Sequence, residues 1–194
     1  MIDIHVVVAH YNEDLSWTKK LKYKYTIISK SGYPPETPPN KGCEASSYLQ
    51  YIIENYDNLS EYTVFVHGHR SAWHHIGNID EKINTLVPEH GYYNINDKHL
   101  FTKLSMFPNS INGVRGCLVN IEAILGKKIT LENIQNRASA QFYVSRGVLR
   151  SIDKTIYKSL YTWLMTTNTS SYWTSRAFEY LWHVIFTGKH VDRF

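Results

Sequence analysis

Residues 2–9, Ile-Asp-Ile-His-Val-Val-Val-Ala, close on four consecutive apolar positions, Val6 to Ala9. A β-branched run this short is the pattern of a strand buried on both faces, because neither alternate set of side chains is polar. Residues 62–66, Tyr-Thr-Val-Phe-Val, repeat it, and residues 25–29, Tyr-Thr-Ile-Ile-Ser, read as a third strand. A strand covered on both faces requires layers above and below it. Residues 44–56 supply one, with Leu49, Ile52 and Ile53 at helical spacing, and a helix carrying Leu15, Trp17 and Leu21 is expected near Asp14. The order strand, helix, strand, loop, helix, strand predicts an α/β fold, a mainly parallel or mixed central sheet flanked by helices.

The remainder is less periodic. Residues 31–42 hold Pro34, Pro35, Pro38 and Pro39 and are expected to be a long, stiff loop. Residues 77–120 read as connections, 121–125 as a short helix, 140–144 as a strand, and 151–165 and 174–186 as helices, with Ser145 capping the helix that follows its strand. At 194 residues and 43% hydrophobic content, a single domain over 1–194 is expected. The charge of +4 is spread out except at Lys19, Lys20, Lys22 and Lys24, a cluster read as a solvated face, so no nucleic-acid partner is expected. Cys43 and Cys117 are too few for a disulfide framework and read as reduced thiols. The first residues lack the pattern of a signal peptide. No apolar run approaches the roughly 18 residues of a membrane span. The expectation is a soluble, cytoplasmic protein.

Chemistry concentrates where the strands end. Four of the ten histidines, His67, His69, His74 and His75, follow the strand at 62–66. Imidazoles at i and i+2 converge on one ion if the chain turns at Gly68, or they contact phosphate and sugar hydroxyls. His10, Tyr11, Asn12 and Glu13 follow the first strand as a polar turn suited to a nucleotide. Asn40, Lys41 and Gly42 open the helix at 44–56, where amides and the lysine attract anions, while Glu44 reads as a first-turn carboxylate favourable to the helix dipole. Gln141 is placed to bind a substrate hydroxyl. Glu179 and His183 share a helix face in a strongly apolar segment, so they are either a self-satisfied pair or a carboxylate and imidazole lining a cavity, where they can serve as general base. Gly-x-Ser-x-Gly, Walker, Gly-x-Gly-x-x-Gly and paired Cys-x-x-Cys patterns are absent.

These motifs, in this order, resemble a family of uncharacterised domains known from fungi and large DNA viruses: Val7 to Asp14, Asn40 to Ala45 with Tyr48-Leu49, Gln141 to Arg146, and Leu181 to His183. A more distant resemblance is to GT-A glycosyltransferases. It implies that Tyr11-Asn12-Glu13 holds the nucleotide of a sugar donor, that His67 and His69 stand where an Asp-x-Asp motif would bind Mn²⁺ or another divalent metal, and that Glu179 is the base toward the acceptor. It further implies a nucleotide-sugar donor and a carbohydrate or glycoprotein acceptor. Two imidazoles in place of Asp-x-Asp shift metal preference toward softer ions, or toward none. Two other classes stay open: a metal-dependent hydrolase or nuclease built on His67, His69, His74 and His75, and a sugar-nucleotide-binding module without activity.

Overall fold

The computed structural model describes residues 2–30, 39–97, 101–137 and 140–192. β1 (Ile4–His10) lies between β2 (Lys24–Ser29) and β3 (Tyr62–His67) and runs parallel to both, with Val8 level with Ile27 on one side and Val66 on the other. β7 (Phe142–Ser145) continues the sheet antiparallel to β3, and β4 (Tyr92–Asn94) closes it antiparallel to β7. The five-stranded order is therefore β2-β1-β3-β7-β4, a mixed sheet. A separate two-stranded pair joins β5 (Thr102–Lys103) to β6 (Gln135–Asn136).

The period of two in a strand splits the apolar residues between the faces. Val7, Ala9, Phe65, Phe142 and Val144 point into the thicker core, beneath α1 (Glu44–Asn55), α3 (Pro108–Leu125), α5 (Lys154–Thr166) and α6 (Ser171–Thr187). Val6, Val8, Val64, Val66 and Tyr143 point the other way, against Trp17, Ile79, Ile83 and Ile95. That second layer is thin, a 3₁₀ turn at Ser16–Lys20 and the short α2 (Ile79–Asn84). Each side chain fully buried between the layers contributes about 1.5–3 kcal/mol.

Three sequence expectations change in detail. The helix near Asp14 is a single 3₁₀ turn that serves to bury Trp17. Residues 121–125 are only the last turn of α3, and 108–120, which lack helical periodicity, form the rest of it. The strand expected at 140–144 begins two residues later, and α4 (Arg146–Ser151) precedes the next long helix, with Ser145 Oγ accepting from the Val148 amide at 3.3 Å as its cap. Of the expected Pro-rich loop, residues 31–38 lie outside the described residues. Cys43 and Cys117 are free thiols. Among the described residues no helix is long and apolar enough to cross a membrane.

The hidden length of α3 has a physical cause at Gly113. A Cβ there would lie 2.1 Å from the Trp173 ring on α6, so close approach of the two helices has removed the side chain that would have carried the helical pattern. Gly116, one turn fraction away, has open space around it. Substituting alanine at the two positions therefore separates packing from propensity. Gly116→Ala is expected to raise unfolding free energy by about 0.5–1 kcal/mol, and Gly113→Ala to lower it by about 1–3 kcal/mol, both measured by urea denaturation.

Candidate active site

β1, β2 and β3 are parallel neighbours, so the residues that follow them share one edge of the sheet. β1 continues toward β2 on one side while β3 leads away on the other, and such a divergence opens a crevice outside the strands' carboxyl ends. His10 ends β1, Lys30 follows β2 and His67 ends β3, and all three line one cavity of about 230 Å³. Tyr11, Glu13, Asn40 and His69 line it too, joined from the start of α1 by Cys43, Glu44 and Ser47.

Each wall is fixed by a specific contact. Glu13 folds back so that Oε2 accepts from the amides of Tyr11 and Asn12 at 2.7 and 3.2 Å, and its Oε1 lies 3.5 Å from His69 Nε2. The chain after β3 passes so near that carboxylate that a Cβ on Gly68 would sit 2.8 Å from Glu13 Oε2. Trp17 donates its indole N–H to the Gly68 carbonyl at 2.7 Å and locks the turn between the two histidines. Farther along, Arg70 grips the buried Asp80 through Nε and a terminal nitrogen at 3.0 and 3.3 Å, and Lys82 pairs with Asp97 at 2.9 Å.

At the start of α1 the backbone turns through two left-handed residues, Gly42 at φ 65° and Cys43 at φ 52°. A Cβ on Gly42 would meet Leu164 Cδ1 at 2.5 Å, so glycine is required there on two counts. Cys43 accepts strain that a non-glycine residue rarely tolerates, and such strain concentrates at functional sites. Its result is to deliver Glu44 into the cavity. Lys41 and Gly42 themselves face away, the lysine donating to the Thr167 carbonyl and the Gly42 amide to Ser171 Oγ at 3.3 Å.

From the opposite wall α6 presents Glu179 and Arg176, 3.7 Å apart, into an adjoining recess of about 390 Å³ that shares His67 and His69 with the first cavity. Glu44 and Glu179 are close enough to oppose each other's ionisation. Burial first, and then the Glu179 charge, push the Glu44 carboxyl up to about 8 against a smaller opposing pull from Arg176. The Glu44 carboxyl thus holds its proton at neutral pH. Burial drives His67 down to about 3, helped by His74, His69 and His75, so its imidazole is neutral. Lys30, almost fully buried, donates to Gln50 Oε1 at 2.9 Å, and burial lowers its ammonium below the usual range. Glu44 Oε1, Ser47 Oγ and His67 Nε2 are all shut off from solvent, with no hydrogen-bond partner among the described residues. Three orphaned polar atoms on residues lining one cavity are a costly arrangement unless a ligand or water completes it.

The other expected residues lie elsewhere. Asn12 lines an outer recess of about 550 Å³ with Asp14 and Arg70. Gln141 is fully buried beneath the site: Oε1 accepts from the His67 amide at 3.3 Å, and Nε2 lies 3.1 Å from both His74 Nδ1 and Asn96 Oδ1. It supports the histidines and does not line the cleft. His183, one turn beyond Glu179, lines a separate recess with His90, Phe186 and Asp192, where its Nε2 donates to the His190 carbonyl at 3.1 Å. Sequence reasoning missed Lys30, Ser47 and Arg176 as site residues. The first follows a strand that ends level with the other two, and the others stand three positions from Glu44 and Glu179, which is one helical turn.

The donor set does not fit the hard divalent ion implied by the glycosyltransferase resemblance. One oxygen of Glu13 is already taken by two amides, His69 is largely exposed, and His74 Nδ1 faces Asn96 and Gln141. Among the described residues no three His, Cys, Asp or Glu side chains are grouped as a metal site.

Fold and cleft together define a mixed α/β protein with a half-buried carboxylate pair at the carboxyl ends of its parallel strands. The chain belongs to the protein family of unknown function DUF3431, whose model matches residues 6–193. No curated protein and no solved structure matches it.

The carboxylate pair predicts a pH signature. Unfolded, Glu44 ionises near its ordinary value, whereas folded it keeps its proton to about 8. The folded state therefore binds more protons across that interval, and stability falls as pH rises through it. Glu44→Gln removes the penalty. It is expected to melt above the parent at pH 8, by about 2–4 °C for each kcal/mol regained in a chain of this size, with the difference closing at pH 5. An equal difference at both pH values would assign Glu44 an ordinary ionised state.

Proposed function

We propose that this protein is a glycosyltransferase that moves a sugar from a nucleotide-sugar donor to a hydroxyl acceptor. The observation that carries the reading is the convergence of Tyr11, Glu13, Asn40, His67 and His69 on one cavity, with Glu179 in the recess beside it. These residues come from four separate parts of the chain, in the order the resemblance assigns to donor nucleotide, diphosphate and base.

In this mechanism the donor lies along the carboxyl ends of β1 to β3. Tyr11, nearly half exposed, offers a ring face to the base. Lys30 and His10 face the diphosphate, and the neutral imidazole of His67 and the ring of His69 hydrogen-bond to its oxygens. Glu44, carrying a proton, donates to a sugar hydroxyl or phosphate oxygen, a task an ionised carboxylate cannot perform. Glu179 takes the proton of the acceptor hydroxyl as its oxygen bonds to the anomeric carbon and the bond from that carbon to the diphosphate breaks. The electron pair leaves with the diphosphate, where fixed positive and donor groups stabilise the growing charge. Arg176, 3.7 Å from Glu179, orients that carboxylate. A hydrolase or nuclease centred on a histidine-bound metal draws no support from the geometry, since His74 is turned toward Asn96 and Gln141.

Calorimetric titration with UDP and GDP, together with release of the nucleotide from a panel of their sugar conjugates, tests the reading. At least one nucleotide is expected to bind, and Glu179→Gln to slow turnover about 100-fold or more without weakening nucleotide binding. Absence of heat and of any melting shift with either nucleotide would remove the proposal. Binding without turnover, unchanged by Glu179→Gln, would leave a binding module.

A further inference from the structure

Trp73 is 75% exposed, well beyond Tyr172, Tyr11, Phe107 and Tyr25, the other exposed aromatic rings among the described residues. It belongs to a tight turn closed by the His75 amide donating to the Ala72 carbonyl at 3.3 Å. The indole meets the His74 ring edge to face, with centroids 5.5 Å apart and planes at 85°. His74 is itself buried and held between Asn96 and Gln141, and the Asp97 carboxylate accepts from the Ile76 amide at the far end of the turn. The exposed ring is therefore fixed in place on a pinned loop, at the hydrophobic cost of leaving an indole in water. It also lines the recess that contains Glu179, Arg176 and Ser71.

We propose that Trp73 is the stacking platform of a carbohydrate acceptor, because one recess places its open indole beside a carboxylate, a guanidinium and a hydroxyl. This deepens the glycosyl-transfer reading, on which its catalytic meaning rests. A pyranose ring has an apolar C–H face, which suits an indole, and a rim of hydroxyls, which suits Glu179, Arg176 and Ser71. A lipid acceptor would call for a continuous apolar wall, whereas the surroundings of Trp73 in the recess are mostly polar. Stacking at Trp73 sets the acceptor sugar at the mouth of the recess, with a hydroxyl directed inward to the Glu179 carboxylate.

The test uses cellotriose, chitotriose, mannotriose and xylotriose, titrated separately into the full chain, with intrinsic fluorescence and calorimetry as readouts and UDP and GDP titrated in parallel. At least one trisaccharide is expected to bind and to quench the tryptophan emission. Trp73→Ala is expected to weaken that binding about tenfold or more, Trp73→Phe to weaken it less, and both to retain the parent's melting temperature and nucleotide affinity. Failure of every trisaccharide to bind, or equal binding by Trp73→Ala and the parent, overturns the inference. The two readings fail separately. Nucleotide binding without trisaccharide binding removes only the platform, and trisaccharide binding through Trp73 without nucleotide binding removes only glycosyl transfer.

Discussion

Burial of β1 on both faces, with a parallel partner on each side, is the constraint from which the rest follows. Val6 and Val8 are sealed into one layer and Val7 into the other, so the strand can neither slip by one residue nor move to an edge without exposing an entire apolar set. Parallel pairing then brings His10, Lys30 and His67 to the same end of the sheet. The site exists because three strands stop together.

The turn at Gly68 ties the fold to the cleft. Without a side chain, it lets the strand end pass against the Glu13 carboxylate while its carbonyl takes the Trp17 indole proton, and Trp17 is at once a core residue of the thin layer. A polar loop, a turn at the cleft and a packed face are thereby joined through one residue. Gln141 performs the matching task from just before β7, receiving the His67 amide and bracing His74. Rigidity of this kind allows polar atoms to stand without partners in a cavity, where a flexible wall would collapse onto them.

Charge in the cleft is organised by a like-charged pair. Two carboxylates brought together by α1 and α6 cannot both ionise cheaply, and burial with the Glu179 charge raises the Glu44 carboxyl against a smaller pull from Arg176. Lys30 and Arg176 set positive charge on either side of the pair, in the two adjoining cavities.

The strands at 2–9, 25–29 and 62–66 and the helix at 44–56 were legible because burial on both faces and helical spacing leave a local imprint in the order of residues. The histidine cluster and the Tyr11-Asn12-Glu13 turn were legible as strand ends for the same reason. α3 was not, because Gly113 answers to Trp173 sixty positions later. Nor were the destinations of Gln141 and His183, which turn to a buried strut and a separate recess. The sequence by itself determined which segments must be buried and therefore the class of fold. Only the tertiary structure decided that Glu44 faces Glu179, that Lys30 joins the histidines and that Trp73 stands open beside them. Contacts between distant segments depend on how layers pack, and no local pattern of residues records that.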